Sequence, residues 1–203
     1  MYQIILASES PRRKEIMKTM GIPCLTIPAN VKEETQETVP EKMVQALAGL
    51  KARAAASMAK EQLGHGIDRI VIGADTMVFF QEHVLGKPKD EADAVRMLKL
   101  LSNKEHEVFT GVSIIISNTN QESYEFSFAV STKVLVRPLS TEQIMDYIAT
   151  GEPMDKAGAY AIQGQFGIYI KEIIGDYYNI VGFPIAKIYD ELLERGINIK
   201  KIN

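Results

Sequence analysis

The chain has 203 residues, 46% of them hydrophobic and 24% charged, an ordinary globular balance with length enough for a sizeable core. Its formal net charge of -3 excludes a general affinity for nucleic-acid backbones, so any anion site must be a local concentration of Lys and Arg. A single cysteine, Cys24, excludes an internal disulfide, and its apolar setting reads as a near-core residue and not a nucleophile.

Tyr2 to Ala7 reads as a buried strand, with no charged leader and too short an apolar run for a signal peptide. No stretch reaches the length of a membrane span, so a cytoplasmic protein is expected. Ser10 stands where an N-cap belongs and Pro11 at the first helical position, predicting a helix to about Met20 that stops at Gly21. A short strand is expected over Cys24 to Ile27, then a long Ala-rich helix from Pro40 to Leu63. Arg69 to Gly73 predicts a second buried strand that breaks at Ala74-Asp75-Thr76 and resumes over Met77 to Phe80. A turn at Gln81-Glu82-His83 folds the chain back, and Asp90 caps a helix reaching about Leu101.

Two long strands follow, His106 to Ser117 and Ser123 to Val136, joined by the polar turn Asn118 to Gln121. Ser140 and Gln143 form a capping box for a helix ending near Gly151. A Gly-punctuated stretch leads to a strand over Ile168 to Ile174, and a last helix starts at Pro184 and ends before Gly196. Helices interleaved with strands, with a long hairpin in the second half, predict an α/β protein with a mixed, twisted sheet and flanking helices. The length fits one domain over 1–203, or two lobes around a cleft, and no linker divides it.

Charge placement gives the first chemical signal. Arg12, Arg13 and Lys14 crowd the opening turn of a helix, where the macrodipole is positive and a cation costs up to about 1 kcal/mol. The misfit vanishes if an anion binds there, gripped by backbone N–H groups and guanidinium forks. The bland alternative is a solvated basic turn. Asp75 follows an apolar strand, at the kind of strand end where α/β proteins place functional groups, and could hold a metal or position a water. Glu33 or Glu34 could supply a second metal oxygen, and spacing does not choose between them. Lys51 and Lys87 each read alone as surface lysines. His65, His83 and His106 have no telling spacing, and the chain carries no Walker loop, nucleophile elbow, zincin helix or Cys-x-x-Cys pair.

Taken in order, several blocks resemble the Maf family of nucleoside triphosphate pyrophosphatases. They are Leu6-Ala7-Ser8-Glu9-Ser10-Pro11-Arg12-Arg13, Glu33, Leu47-Ala48-Gly49-Leu50-Lys51-Ala52, Gly73-Ala74-Asp75-Thr76, Gly86-Lys87-Pro88 and His106-Glu107-Val108-Phe109-Thr110-Gly111, followed by Gly151 to Gly164 and Asn179 to Pro184. The resemblance covers nearly the whole chain. It implies two lobes around a central cleft, as in inosine triphosphatases, and cleavage of a nucleoside triphosphate to the monophosphate and pyrophosphate with Mg²⁺ or Mn²⁺.

By the same resemblance Asp75 is the catalytic proton acceptor and a metal ligand with Glu33. Arg13, Lys51 and Lys87 contact phosphates, as part of a substrate site that includes Ser8. Arg12, Thr76 and Gln163 match the branch acting on dTTP and UTP. The 7-methyl-GTP branch carries Trp at the position of Arg12, and this chain has no Trp. The sequence departs from the family in reading Lys32-Glu33 for an Asp-Glu pair and Tyr160-Ala161-Ile162 for Tyr-Gly-Ile. A homodimer is implied, with no nucleic-acid or membrane partner. The other roles open to such a chain are a 7-methyl-GTP pyrophosphatase and a nucleotide-binding regulator of cell division without catalysis.

Overall fold

Tyr2–Ala7 forms strand β1, whose last four residues are buried, and Pro11–Thr19 forms helix α1. The computed structural model describes residues 2–81, 83–120 and 122–202. Helix α1 closes as its sequence requires, with Gly21 at φ 66° and Ile22 N–H donating to Met17 O at 2.9 Å. Its start differs from expectation. Ser10 takes the N-cap position, but its side chain makes no capping bond, and its own N–H donates instead to Ser8 Oγ at 3.1 Å.

Leu25–Thr26 (β2) is shorter than expected, whereas Pro40–Leu63 (α2) has the expected ends, with Gly64 at φ 75° terminating it. Asp68–Phe80 (β3) is one unbroken strand, which corrects the expected break at Ala74-Asp75-Thr76. Strand β1 pairs with β3 up to Gly73, and His83–Leu85 (β4) pairs with it from Val78 onward. Residues 74–77 therefore keep strand geometry in the interval between those two partners. The polar Asp75 marks that interval and not an end of the strand. Glu82, in the expected turn before β4, lies outside the described residues.

Helix α3 (Glu91–Leu101) is capped by Asp90, whose carboxylate accepts from Asp93 N–H at 2.7 Å. Strands β5 (Glu105–Ser117) and β6 (Ser123–Val136) form the long pair, and Gln121 of their connecting turn is outside the described residues. Helix α4 (Thr141–Ala149) begins with the expected capping box, with both the Ser140 and Gln143 bonds present. Strand β7 (Ile170–Ile174) starts two residues later than expected because Gln165–Tyr169 forms a 3₁₀ turn. Helix α5 (Tyr177–Val181) was not anticipated, and α6 (Ile185–Glu194) ends the chain's regular helices. The sheet order is β2-β1-β3-β5-β6-β7, with β4 on β3; β1 runs parallel to both neighbours, while β3–β4 and β6–β7 are antiparallel. The α/β class and the mixed sheet follow from this order. Among the described residues no helix is long and apolar enough to cross a membrane.

The chain resolves into two compact units built from separated segments. The first comprises Met1–Asp75, Thr110–Val130 and Gly182–Asn203; the second comprises Thr76–Phe109 and Ser131–Val181. In the first, Ala52, Ala55 and Ala59 of α2 pack on Ile5, Ala7, Val71 and Ile115 of the sheet. Small residues let the helix come close. A Cβ on Gly73 would sit 2.3 Å from Ala48 O, and one on Gly111 would sit 2.3 Å from Val44 O. In the second unit Phe166 is fully buried among Tyr147, Tyr160 and Tyr169, with ring centroids 5.0 to 5.4 Å apart.

Candidate functional site

The tight docking of α2 over Gly73 places Lys51 beside Asp75, 24 residues away in sequence. Lys51 Nζ donates to Asp75 Oδ1 at 2.6 Å, and both side chains are nearly buried. The same Nζ pairs with Glu33 Oε1 at 2.9 Å, while Glu34 pairs with Lys32 at 2.7 Å on the surface. Structure thus makes the choice that spacing could not, bringing Glu33 to Asp75 and sending Glu34 to solvent.

Ser8 and Arg13 form the neighbouring cluster. Both are buried, and Arg13 Nη1 donates to Ser8 Oγ at 3.2 Å and to Ala74 O at 2.7 Å. Arg13 Nε donates to Gly182 O at 2.8 Å. A cation at the first turn of α1 is therefore not a solvated residue. It clamps the start of the helix to the carbonyl next to Asp75 and to the Gly182 turn. Burial lowers the Arg13 pKa, and the Asp75 carboxylate opposes that fall, with Arg12 and Glu33 weaker influences of opposite sign. A guanidinium still keeps its charge at neutral pH. Helix α1 has no acidic residue in its first turn, as the charge pattern required.

A hollow of about 190 Å³ opens here, lined by Ser8, Arg13, Asn30, Glu33 and Lys51 among others. Pockets that take a whole drug-sized ligand are typically about 300 Å³ or more, so this one suits a phosphate group or short phosphate chain. A larger hollow of about 430 Å³ in the second unit is lined by Phe80, Lys104, His106 and Lys133 and holds none of the expected site residues.

The donor set also fits a divalent cation. Lys51 Nζ stands where Glu33 and Asp75 oxygens converge at 2.9 and 2.6 Å, so the protein already holds one positive charge between two carboxylates. Mg²⁺ commonly takes one or two carboxylates and completes its shell with substrate phosphates and water. Among the described residues there is no group of three or more His, Cys, Asp or Glu able to hold a metal by itself. Glu33 and Asp75 are the two carboxylates here that could contribute to such a shell.

Arg12 is half-buried next to this cluster in sequence, and Thr76 is half-buried on β3 immediately after Asp75. Lys87 and Gln163 are exposed and, with Thr76, belong to the second unit. The Lys87 loop is held by Gly158, at φ 71°, whose N–H donates to Gly86 O at 3.0 Å. The Gln163 loop is held on both sides. Ala161 N–H donates to Tyr147 Oη at 3.2 Å and Gln165 N–H to Glu152 Oε2 at 3.1 Å. Tyr177 opens helix α5 in the same unit, an element that sequence reasoning missed. The available signal was the Gly175-Asp176 pair, a turn followed by a cap, directly before Tyr177.

The fold is a mixed α/β sheet with a hollow whose charged lining is Glu9, Arg13, Glu33 and Lys51, the lysine bridging Glu33 and Asp75. The family model described as "Maf-like protein" matches residues 3–195, and the chain belongs to that family. A protein of Lachnoclostridium phytofermentans named dTTP/UTP pyrophosphatase is 49% identical over 201 residues, 99% of each chain. One of the same name from Agathobacter rectalis is 45% identical over 98% of this chain and 100% of its own. The solved Ham1 protein of Staphylococcus aureus aligns over 96% of this chain and all of its own, at 17% identity and a TM-score of 0.47.

Proposed function

We propose that this chain hydrolyses dTTP and UTP to the nucleoside monophosphate and pyrophosphate. The convergence of Lys51, Asp75 and Glu33 beside the Ser8–Arg13 hollow supports the reading most directly. The names of relatives 45 to 49% identical over nearly the full chain support the substrates.

In this mechanism Lys51 exchanges its contact with Glu33 for a phosphate oxygen when the triphosphate enters. Asp75, relieved of part of its ion pair, orients a water and accepts its proton as the water attacks the phosphorus next to the sugar. Arg13 is already fixed by its hydrogen bonds to Ser8, Ala74 and Gly182, so its charge would meet the developing negative charge without reorganising. Glu33 and Asp75 would hold a divalent cation, Mg²⁺ or Mn²⁺, which would supply Lewis-acid polarisation of phosphoryl oxygens. The roles of Ser8 in phosphate binding, of Lys87 on the departing pyrophosphate, and of Arg12, Thr76 and Gln163 in base choice rest on the family resemblance. So does a homodimeric assembly.

The test is a pyrophosphate-release assay with UTP, dTTP and 7-methyl-GTP, each with Mg²⁺ or Mn²⁺. Preference for the two pyrimidine nucleotides is expected. Preference for 7-methyl-GTP would overturn the substrate assignment, and silence with all three, alongside measurable binding, would make the protein a nucleotide-binding regulator.

A further inference from the structure

A glutamine side chain turns about several bonds, so its amide reads a base edge reliably only where the backbone beneath it is fixed. Hydrogen bonds weaken steeply once donor and acceptor leave a range of about 2.7–3.2 Å, and a drifting loop takes its amide out of that range. The exposed tip that carries Gln163 stands on such a fixture, built entirely within the second unit.

Residues 163–165 are exposed, yet the chain on either side of them is anchored. Tyr160 and Phe166 bracket the loop and are both buried, with ring centroids 5.0 Å apart, and Tyr160 Oη meets His106 Nε2 at 2.7 Å. Between these anchors one polar relay reaches the loop backbone twice. Tyr147 Oη accepts from Ala161 N–H at 3.2 Å and donates to Glu152 Oε1 at 2.8 Å, while Glu152 Oε2 accepts from Gln165 N–H at 3.1 Å. Ala161 precedes Gln163 and Gln165 follows it at the same spacing, so the relay straddles the glutamine.

Glu152 reaches this position because the chain reverses at the end of α4. Gly151, at φ 75°, turns it out of the helix, and the 3₁₀ turn Glu152–Asp155 begins at once. Thr150 Oγ1 secures the bend, donating to Tyr147 O at 2.6 Å and accepting from Glu152 N–H at 3.2 Å. Gly164 lets the loop lie flat on the carboxylate, since a Cβ there would fall 2.4 Å from Glu152 Oε1 and 2.5 Å from Oε2. With both oxygens hydrogen-bonded, that carboxylate is not free to step aside. An apolar pair would fill the space of Tyr147 and Glu152 without desolvating a charge. It could not hold two backbone N–H groups at once.

We propose that Glu152, acting with Tyr147, is a positioning residue for the base-reading loop, fixing the backbone around Gln163 so that uracil or thymine is read in preference to cytosine. The proposal rests on the assignment of Gln163 to base choice. A loop held ready before the nucleotide arrives avoids the cost of being ordered on binding. Glu152→Ala cuts both legs of the relay. Glu152→Gln can keep an oxygen on Gln165 N–H and turn its NH₂ toward Tyr147 Oη, so the relay survives without the charge.

The experiment measures kcat and KM for UTP and CTP in the wild type, Glu152→Ala, Glu152→Gln, Gln163→Ala and the double variant of the two alanine changes, with amide hydrogen exchange over residues 161–165. UTP and CTP share sugar and phosphates and differ only along the base edge, so their ratio of kcat/KM measures how well that edge is read. Glu152→Ala is expected to lower the UTP-over-CTP ratio by about three- to tenfold, the worth of one orienting hydrogen bond. The loss should appear chiefly as a higher KM for UTP, with faster exchange at Ala161 and Gln165. Glu152→Gln should recover most of the ratio and most of the protection. In the Gln163→Ala background, Glu152→Ala should change the ratio no further. Tyr147→Phe keeps the buried ring, cuts the Ala161 leg and should lower the ratio in the same direction, so it carries the test if Glu152→Ala folds poorly. An unchanged ratio in Glu152→Ala or Tyr147→Phe, with a lowered one in Gln163→Ala, overturns the positioning role and leaves Gln163 in place. A lowered ratio with loop exchange unchanged, or a Glu152→Gln variant as impaired as Glu152→Ala, overturns it too. A wild-type ratio in Gln163→Ala removes the base-reading assignment, and the proposal falls with it.

Discussion

Asp75→Asn exchanges one carboxylate oxygen for an amide nitrogen in a nearly buried position 2.6 Å from the Lys51 ammonium. At an effective dielectric of about 20 the lost attraction is roughly 6 kcal/mol, most of which the cost of desolvating both charges had already offset. Asn keeps an oxygen for the Lys51 hydrogen bond, and Glu33 Oε1 at 2.9 Å still gives that lysine a negative partner. Folding stability should therefore fall by only about 1–2 kcal/mol. Turnover should fall far more, because on the proposed mechanism the variant loses both the proton acceptor and one of the two carboxylates that would hold the cation. General-base loss alone is worth up to about 10⁴-fold, and a fall of about 10³-fold or more is expected here. Binding should move the other way: a triphosphate meets one fewer negative charge, so its Kd stays equal or tightens. Steady-state turnover of UTP, calorimetric binding and urea denaturation separate the three effects. Turnover within about tenfold of wild type would remove Asp75 from the chemistry.

Three further outcomes follow from the same geometry. Gly73→Ala must push α2 away from β3, since its Cβ would stand 2.3 Å from Ala48 O, and should cost about 1–3 kcal/mol in urea denaturation with reduced turnover as Lys51 is displaced. Burial holds His106 at about 4 against an ordinary 6.5, so the unfolded chain takes up a proton that the folded chain refuses. Stability from this group is complete above pH 6.5 and is lost as pH falls toward 4, by about 3 kcal/mol in all, and His106→Gln should flatten that part of the urea-stability profile. Removing divalent cations with a chelator should abolish turnover, with Mg²⁺ or Mn²⁺ restoring it; full activity in the chelator would refute the reading of Glu33 and Asp75 as cation-holding carboxylates.

Much of this architecture was legible in the sequence where local chemistry decides it. Pro40 and Gly64 bracket α2, the Ser140–Gln143 box starts α4, and alternating runs delimit β6. The errors lie where a tertiary partner decides. Ala74-Asp75-Thr76 reads locally as a break, yet β3 continues through it within a sheet whose order places β1 and β5 on either side. Ser10 reads as a side-chain cap, but the Ser8 hydroxyl, turned back by the Arg13 clamp, accepts its N–H instead. Helix α5 spans five residues, too few to show a helical period.

At the site, the clash of cations with the α1 dipole singled out Arg13 as an anion-binding candidate; the structure shows its guanidinium buried and bonded within the protein. Its partners, the carbonyls of Ala74 and Gly182, carry no sequence signal because any residue supplies them. The pairing of Lys51 with Asp75 was likewise hidden. It depends on how closely α2 can approach the sheet, which Gly73, Ala48 and Ala52 settle together.

Product analysis of UTP hydrolysis tests the central claim most directly. The protein is incubated with UTP and Mg²⁺, and the products are resolved by phosphorus NMR with ¹⁸O-labelled water as solvent. The account predicts UMP and pyrophosphate in equal amounts, with the label in UMP. Formation of UDP and orthophosphate, or label confined to the pyrophosphate, would contradict it.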